Sequence, residues 1–275
     1  MKRYLIPILL LAATAASAQE YHFVWDRIHM EGSRTGVTAP SADNVPQALG
    51  TVKNGVYYAP NGRVFKGGAT AEVARLLIEA QPSMAFVKKV VGHSTREMLR
   101  SEKPQSALGS LIVDQAMVKT EEVTGRHVDV GMINRGGIRV DMPAGDVILD
   151  DILSMLPFEN YLCYVSLKGS DLRRLFEQYG SEGQMVLGGV KLTFKDRVLQ
   201  SALVGGKPLD DAKTYGLATI DFLLDGGDNI RAARNARELI QTKTLLRDAL
   251  LPYLEGLMAA GKPIEYVFDG RIEEL

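Results

Sequence analysis

Between residues 106 and 122 apolar side chains return every three or four positions. Leu108, Leu111, Ile112, Ala116 and Met117 share one stripe, and Gly125 follows; this spacing predicts an amphipathic helix that stops at a glycine. The same period in Val73, Leu76, Leu77 and Ala80 predicts a helix over 70–80. Residues 127–134 alternate and predict a strand, which Gly136 and Gly137 break. A short helix over 150–155 and a strand over 162–167 come next, then a helix capped by Ser170 with Leu172, Leu175 and Phe176 on one face. Strands at about 186–195 and 198–204 pair across a turn at Lys195 and Asp196, and 215–220 reads as a buried strand. Helices at about 231–236 and 242–260 finish the chain. Upstream, 86–91 is strand-like. Residues 20–65 are punctuated by Gly32, Gly36, Pro40, Pro46, Gly50, Pro60 and Gly62, with strand-like pieces such as 55–58. Strands and helices alternate without a strict βαβ rhythm, so the expected class is a mixed α/β (α+β) layered fold.

Composition narrows the function classes. The 275 residues are 46% hydrophobic and 24% charged, as in a globular chain able to bury a large core. Thirty-two basic against 33 acidic residues leave no global field to attract nucleic acid. One cysteine, Cys163, excludes an intramolecular disulfide framework and a cysteine-based zinc cage; its apolar surroundings predict a buried thiol. His22, His29, His93 and His127 are scattered and lack the close acidic partners of a dinuclear metal site. Lys2 and Arg3, an apolar run over 5–13, and Ala16-Ser17-Ala18 before Gln19 have the layout of a cleavable signal peptide over 1–18. That predicts a periplasmic or secreted product. The run is too short for a stable membrane span, and no later segment has the length of one.

Three clusters can carry chemistry. In the first, Asn134 ends a strand, Gly136 and Gly137 let the backbone turn, and Arg139 offers a planar fork suited to phosphate or carboxylate. The plainer alternative is a tight turn with a solvated arginine. In the second, Pro157 stiffens the chain before Phe158 and Asn160. Phe158 could stack on a planar ring, or pack into the core as most phenylalanines do. In the third, Asp221, Phe222, Asp225, Gly226, Gly227, Asp228 and Asn229 follow the buried strand, where a loop leaves a rigid scaffold. Asp225 and Asp228 around the glycine pair could recognise a polar ligand or a cation, although calcium loops use denser oxygen ligands, or Asp228 and Asn229 could cap a helix at 231. The nucleophile elbow, the phosphate-cradling lysine loop and the dinucleotide fingerprint are absent from the sequence.

Taken together and in order, these clusters resemble the C-terminal, substrate-recognition domain of the 5'-nucleotidase family. That family has Asn-x-Gly-Gly-Ile-Arg, then Pro-Phe-x-Asn, then a strand, Phe and Gly-Gly-Asp; here they fall at 134–139, 157–160, and 222 with 226–228. Segments 108–116, 167–169 and 187–190 are also similar, and the likeness spans roughly 85–265. The family's arginine ahead of the 108–116 segment has no counterpart in register within 101–105, although Arg96 and Arg100 lie just upstream. The resemblance implies a layered α/β/β/α domain, set here at 85–275; the recurring aromatic and β-branched residues upstream make 19–84 an expected loop-rich lead-in that packs on it. It implies a nucleoside pocket: Phe158 and Phe222 sandwich the base, Asp228 binds the ribose hydroxyls, Asn134 and Asn160 help hold the base, and Arg139 contacts the phosphate or the base-proximal end.

In the family an N-terminal metallophosphatase domain holds two divalent metals through Asp-x-His, Gly-Asn-His and Gly-His-x-His. None of these motifs occurs in the 275 residues. The expectation is a nucleotide-recognition chain that contributes to nucleotide breakdown and phosphate release with a separate metallophosphatase chain. The two metals would sit in that partner, with no cofactor in this chain, which would hydrolyse little alone. The alternatives are a non-catalytic periplasmic nucleoside-binding module and a degenerate structural domain.

Overall fold

The computed structural model describes residues 44–275 apart from Gln184, together with all but two of their side chains, those of Ser181 and Glu182. The expected signal peptide and the start of the lead-in lie outside these residues. The described chain opens with helix α1 (Val45–Leu49) and an antiparallel meander of β1 (Thr51–Lys53), β2 (Val56–Tyr58) and β3 (Val64–Lys66), on which helix α2 (Gly68–Ala80) packs. Tyr57 stacks on Phe65 at 5.8 Å and Arg63 lies over the same ring, which holds this small sheet together. Helix α2 occurs where the spacing predicts it, but its large apolar stripe does not face a core. Val73, Leu76 and Leu77 are 53%, 53% and 52% exposed, and the small side chains of Ala71 and Ala74 are the buried ones. The predicted strand over 86–91 is also displaced. A 3-10 segment, Gln81–Lys88, begins with Pro82 at its first turn, and the strand β4 is Val90–Ser94.

Helix α3 (Ala107–Thr124) starts where the Ser106 hydroxyl accepts from Gly109 N at 3.1 Å, and ends at Gly125 in the left-handed region (φ 64). Leu108, Leu111, Ile112 and Ala116 are buried, as are Ala107, Gly109, Ser110 and Val113, because other elements cover it on more than one side. Strands β5 (Val130–Asn134) and β6 (Gly145–Ile148) follow, β6 pairing with β4; then come helix α4 (Leu149–Met155), strand β7 (Tyr161–Lys168) and helix α5 (Gly169–Glu182). The predicted strand over 186–195 is two strands, β8 (Met185–Gly188) and β9 (Val190–Lys195), broken at Gly189 (φ 73). A Cβ at Gly189 would lie 2.2 Å from the Asp129 carbonyl, so only glycine makes that corner. Strand β10 (Val198–Val204) returns across Asp196 and Arg197, both at positive φ, and β11 (Lys207–Pro208) and β12 (Thr214–Ile220) follow.

The predicted helix at 231–236 is instead a run of turns. The predicted helix at 242–260 is shorter: its first residues, 242–245, belong to strand β13 (Glu238–Leu245), the helix proper is α6 (Leu246–Ala259), and strand β14 (Ile272–Glu274) follows. The central sheet has the order β13-β7-β12-β5-β8, and a second sheet the order β11-β10-β9-β14. Helices α3 and α6 pack on each other and on the central sheet, while α5 contacts β7 of that sheet and β10 of the other. One large hydrophobic core runs through these two sheets and helices α3 to α6, with a smaller cluster at Val128, Tyr164 and Ala218, so the chain is a layered mixed α/β fold. No helix of the described residues is long and apolar enough to cross a membrane.

Candidate functional site

Strand pairing gathers the three sequence clusters at one end of the central sheet. β5 and β12 are parallel, with Leu217 opposite Val130 and Ala218 opposite Gly131; carried to the strand ends, that register sets Asn134 level with Asp221. β7 is antiparallel to β12, with Leu162 opposite Ile220. The loops that leave β5 and β12 and the loop that enters β7 therefore meet at adjacent strand ends, each on a rigid base. Two contacts bind them further. Arg139 N donates to the Met155 carbonyl at 2.9 Å, tying the first loop to the end of α4. The Asp221 carboxylate accepts from Tyr161 N at 3.1 Å and Phe222 N at 2.8 Å, tying the second loop to the third.

Asn134 is 8% exposed, and its amide Nδ2 donates to Asp228 Oδ2 at 2.9 Å across 94 residues of sequence. One carboxylate oxygen of Asp228 is thereby fixed and the other left for a further donor. Asp228 is partly buried and sits in the left-handed region (φ 46) after Gly226 (φ 108). Its backbone is held by Asn229 N donating to Gly226 O and Gly226 N donating to Ile230 O. The capping alternative for Asp228 and Asn229 does not hold, since no helix begins at 231. The core-packing alternative for Phe158 does not hold either: its ring is 48% exposed, and that of Phe222 is 45% exposed. The Arg139 guanidinium lies 5.9 Å from the centre of the Phe158 ring, and its Nη1 donates to the Gly136 carbonyl at 2.9 Å. Asn160 is partly buried; its carbonyl accepts from Leu246 N at 2.9 Å, anchoring the start of α6, and no hydrogen bond joins its side chain to the other five residues. Phe158 and Phe222 make no ring contact with each other.

Two glycines are needed for space. A Cβ on Gly137 would lie 2.6 Å from Asn134 Oδ1, and one on Gly227 would lie 2.0 Å from the Phe222 carbonyl and 2.8 Å from its ring. Upstream, Arg96 donates to the Tyr266 carbonyl, and Arg100 engages Asp141 and the Ile138 carbonyl, so both are tied into the fold. The sequence reading had no signal for Asp221 as a bridge between two loops, nor for a second polar centre behind the sheet. There Arg271, 7% exposed, donates both Nη atoms to Asp114 at 2.8 Å and its Nε and Nη2 to Asp269 at 2.6 to 3.0 Å. Burial alone would raise the Asp269 carboxyl, but hydrogen bonds from Arg271 and Gln105 outweigh it and hold it at about 2. Burial, together with a hydrogen bond to Asp114, pushes the Tyr266 hydroxyl up. Cys163 is fully buried, as expected, and burial pushes its thiol up to about 12.

Among the described residues no group of His, Cys, Asp and Glu could hold a metal ion, so the donors of a dinuclear centre are not found there. His93 faces only Asp146, and exposed His127 lies beside Glu121 and Asp129.

A layered α/β domain with polar and aromatic side chains on loops at adjacent strand ends is the class that fold and geometry define. Residues 90–235 match the family described as 5'-nucleotidase, C-terminal domain, over more than half of the chain. Protein UshA of Yersinia enterocolitica is 30% identical over 132 residues, covering 46% of this chain and 24% of its own length. The 5'-nucleotidase of Vibrio cholerae is 26% identical over 175 residues, covering 62% of this chain and 30% of its own. Among solved structures, a 5'-nucleotidase precursor from Thermus thermophilus superposes with a TM-score of 0.64 at 24% identity, over 80% of this chain and 48% of that one. This chain belongs to the 5'-nucleotidase C-terminal domain family, and it spans about a quarter to a third of the length of the two curated relatives described.

Proposed function

We propose that this chain recognises a nucleoside or nucleotide in the cleft of Asn134, Arg139, Phe158, Asn160, Phe222 and Asp228, and that it works with a separate metallophosphatase chain. The observation that carries the reading is the Asn134–Asp228 hydrogen bond between loops at adjacent strand ends, the same ends whose loops carry the half-exposed Phe158 and Phe222. An aromatic face stacks on any base, for about 1–3 kcal/mol per base. The free oxygen of Asp228 accepts from vicinal hydroxyls, with Asn134 fixing the carboxylate. Arg139, exposed and 5.9 Å from the centre of the Phe158 ring, supplies a cationic fork at the base-proximal end of the ligand. The chain's own residues bind and orient; hydrolysis needs a hydroxide and charge stabilisation that two metals in the partner would supply. The sequence features at 1–18 support export, so both chains would meet in the periplasm or outside the cell.

The test is calorimetry of the purified chain with adenosine and AMP, followed by AMP hydrolysis by a candidate metallophosphatase with and without the chain. Saturable binding and partner turnover that rises on addition support the reading. Binding with unchanged partner activity supports a nucleoside-binding module instead. Robust metal-dependent AMP hydrolysis by this chain alone overturns the division of labour.

A further inference from the structure

A second concave site lies between α5 and the turns that carry the chain from Asn229 to Arg234. Asp171, Arg174, Leu175 and Gln178 sit three or four residues apart on one face of α5, and with Asn229, Arg231 and Arg234 they enclose a pocket of about 180 Å³. Its charge is one-sided. Asp171, 8% exposed, is the one acid in the lining, and it is already satisfied by an ion pair with Arg174 and by Asn235 Nδ2 at 2.9 Å. Arg231 and Arg234 make no ion pair or hydrogen bond through their side chains with any described residue. Their backbone is nevertheless fixed: Arg234 N donates to Arg231 O at 3.0 Å, Ala232 N to Leu223 O at 2.9 Å and Ala233 N to Leu224 O at 3.2 Å. Asn235 lies in the left-handed region (φ 63) to reach Asp171.

Three guanidinium groups around one neutralised carboxylate form a site short of negative charge, with planar forks matched to oxyanions. We infer that this pocket binds a phosphate-type oxyanion. Gln178 Nε2 donates to the Asn229 carbonyl at 3.2 Å, so the pocket wall is joined to the loop that carries Asp228. The ligand chemistry has two sources, free inorganic phosphate or the phosphate of a nucleotide whose sugar lies at Asp228; the second rests on the cleft reading above.

The experiment is a titration of the full chain with sodium phosphate at constant ionic strength, followed by amide NMR at Gln178, Asn229 and Asn235. It is repeated on the Arg231→Gln/Arg234→Gln double variant. Both side chains are exposed and unpaired, so the melting temperature should not change. Saturable shifts that weaken at least about tenfold in the variant are expected for free phosphate, given the strength of charge-assisted hydrogen bonds. If the phosphate arrives on a nucleotide, the variant loses the preference for AMP over adenosine while adenosine binding stays intact. Phe222→Ala separates the two sites: loss of adenosine binding with retained phosphate binding leaves this inference standing, and unaltered adenosine binding refutes only the cleft. Phosphate shifts that fail to saturate, or that match in the double variant with AMP preference intact, overturn it.

Discussion

Gly137 offers a way to disturb the cleft without touching a ligand-facing side chain. A Cβ there would lie 2.6 Å from Asn134 Oδ1 and 3.4 Å from its Cγ, whereas non-bonded carbon atoms settle at about 3.5–4.0 Å. All three nearest atoms belong to the Asn134 side chain, so in Gly137→Ala the backbone holds and the Asn134 amide swings away from Asp228 Oδ2. A hydrogen bond to a charged group contributes about 1.5–3 kcal/mol. Asp228 is only partly buried and recovers water, so the loss falls near about 1.5 kcal/mol, and alanine returns about 0.4–1 kcal/mol by restricting the unfolded chain. The net cost is therefore about 1 kcal/mol, or roughly 2–4 °C in melting temperature for a chain of this size. Adenosine affinity should fall about ten- to a hundredfold, because Asp228 is no longer aimed at the ribose. Calorimetry and thermal melts of Gly137→Ala, Asn134→Ala and the double variant measure this. The two changes should be non-additive, since alanine at 134 removes the obstructed atoms and makes the Gly137 change close to neutral. Additive losses, or an unchanged single variant, would refute the steric argument.

Phe158→Ala and Phe222→Ala should each weaken adenosine binding by about 1–3 kcal/mol with little change in melting temperature, because both rings are about half exposed; a stability loss of about 3–5 kcal/mol, as for a core ring, would count against the cleft. Arg271→Met should destabilise the chain by about 1–3 kcal/mol in urea unfolding, because Asp114 and Asp269 lose the cation they share but, being partly exposed, recover water. The Asp269 carboxyl, held at about 2 when folded against about 3.9 in a free chain, adds stability above about pH 4 that is lost as the pH falls towards 2. Wild-type acid unfolding should thus be steeper in that window than that of Asp269→Asn. Cys163, buried and pushed up to about 12, should resist a disulfide reagent at pH 8 until the chain is unfolded, and rapid labelling of the native chain would contradict its burial.

What could be read from the sequence was local. The helix of 107–124 declares itself through its stripe and Gly125, and β5, β7 and β12 through apolar runs that end in polar residues. β13 was misread because it is an edge strand. None of its residues is buried, its apolar Leu239 and Ile240 are adjacent, so the period-two alternation of a half-buried strand is missing, and it runs without a break into α6, so helical spacing extends backwards into it. The stripe of α2 was correctly read as helical, but its large residues lie outward while alanines contact the meander. Periodicity reports that a helix has two faces and does not say which neighbour each face meets.

The cleft itself shows where such reasoning must give way to topology. Asn134 and Asp228 are separated by 94 residues, and nothing local in either loop requires them to touch. They meet because β12 lies parallel to β5 and antiparallel to β7, a strand order that no spacing rule supplies. The same holds for Arg271, which lies 157 residues from Asp114 and reads in sequence as one charge among many. The glycines mark the boundary between the two kinds of knowledge. A turn at Gly136 and Gly137, or at Gly226 and Gly227, is visible in the sequence, yet the demand at Gly137 and Gly227 is for empty space beside Asn134 and Phe222. If those glycines serve the cleft and not the turn, alanine at 137 should leave the fold and spare the scaffold strands, while alanine at 227, which meets the Phe222 carbonyl at 2.0 Å, must move backbone and should disorder the whole Asp228 loop. Amide exchange separates the two outcomes: faster exchange confined to the Asp228 loop in Gly227→Ala, with near-native protection in Gly137→Ala, is the expected pair. Equal effects at both sites would mean the glycines are needed for turning alone.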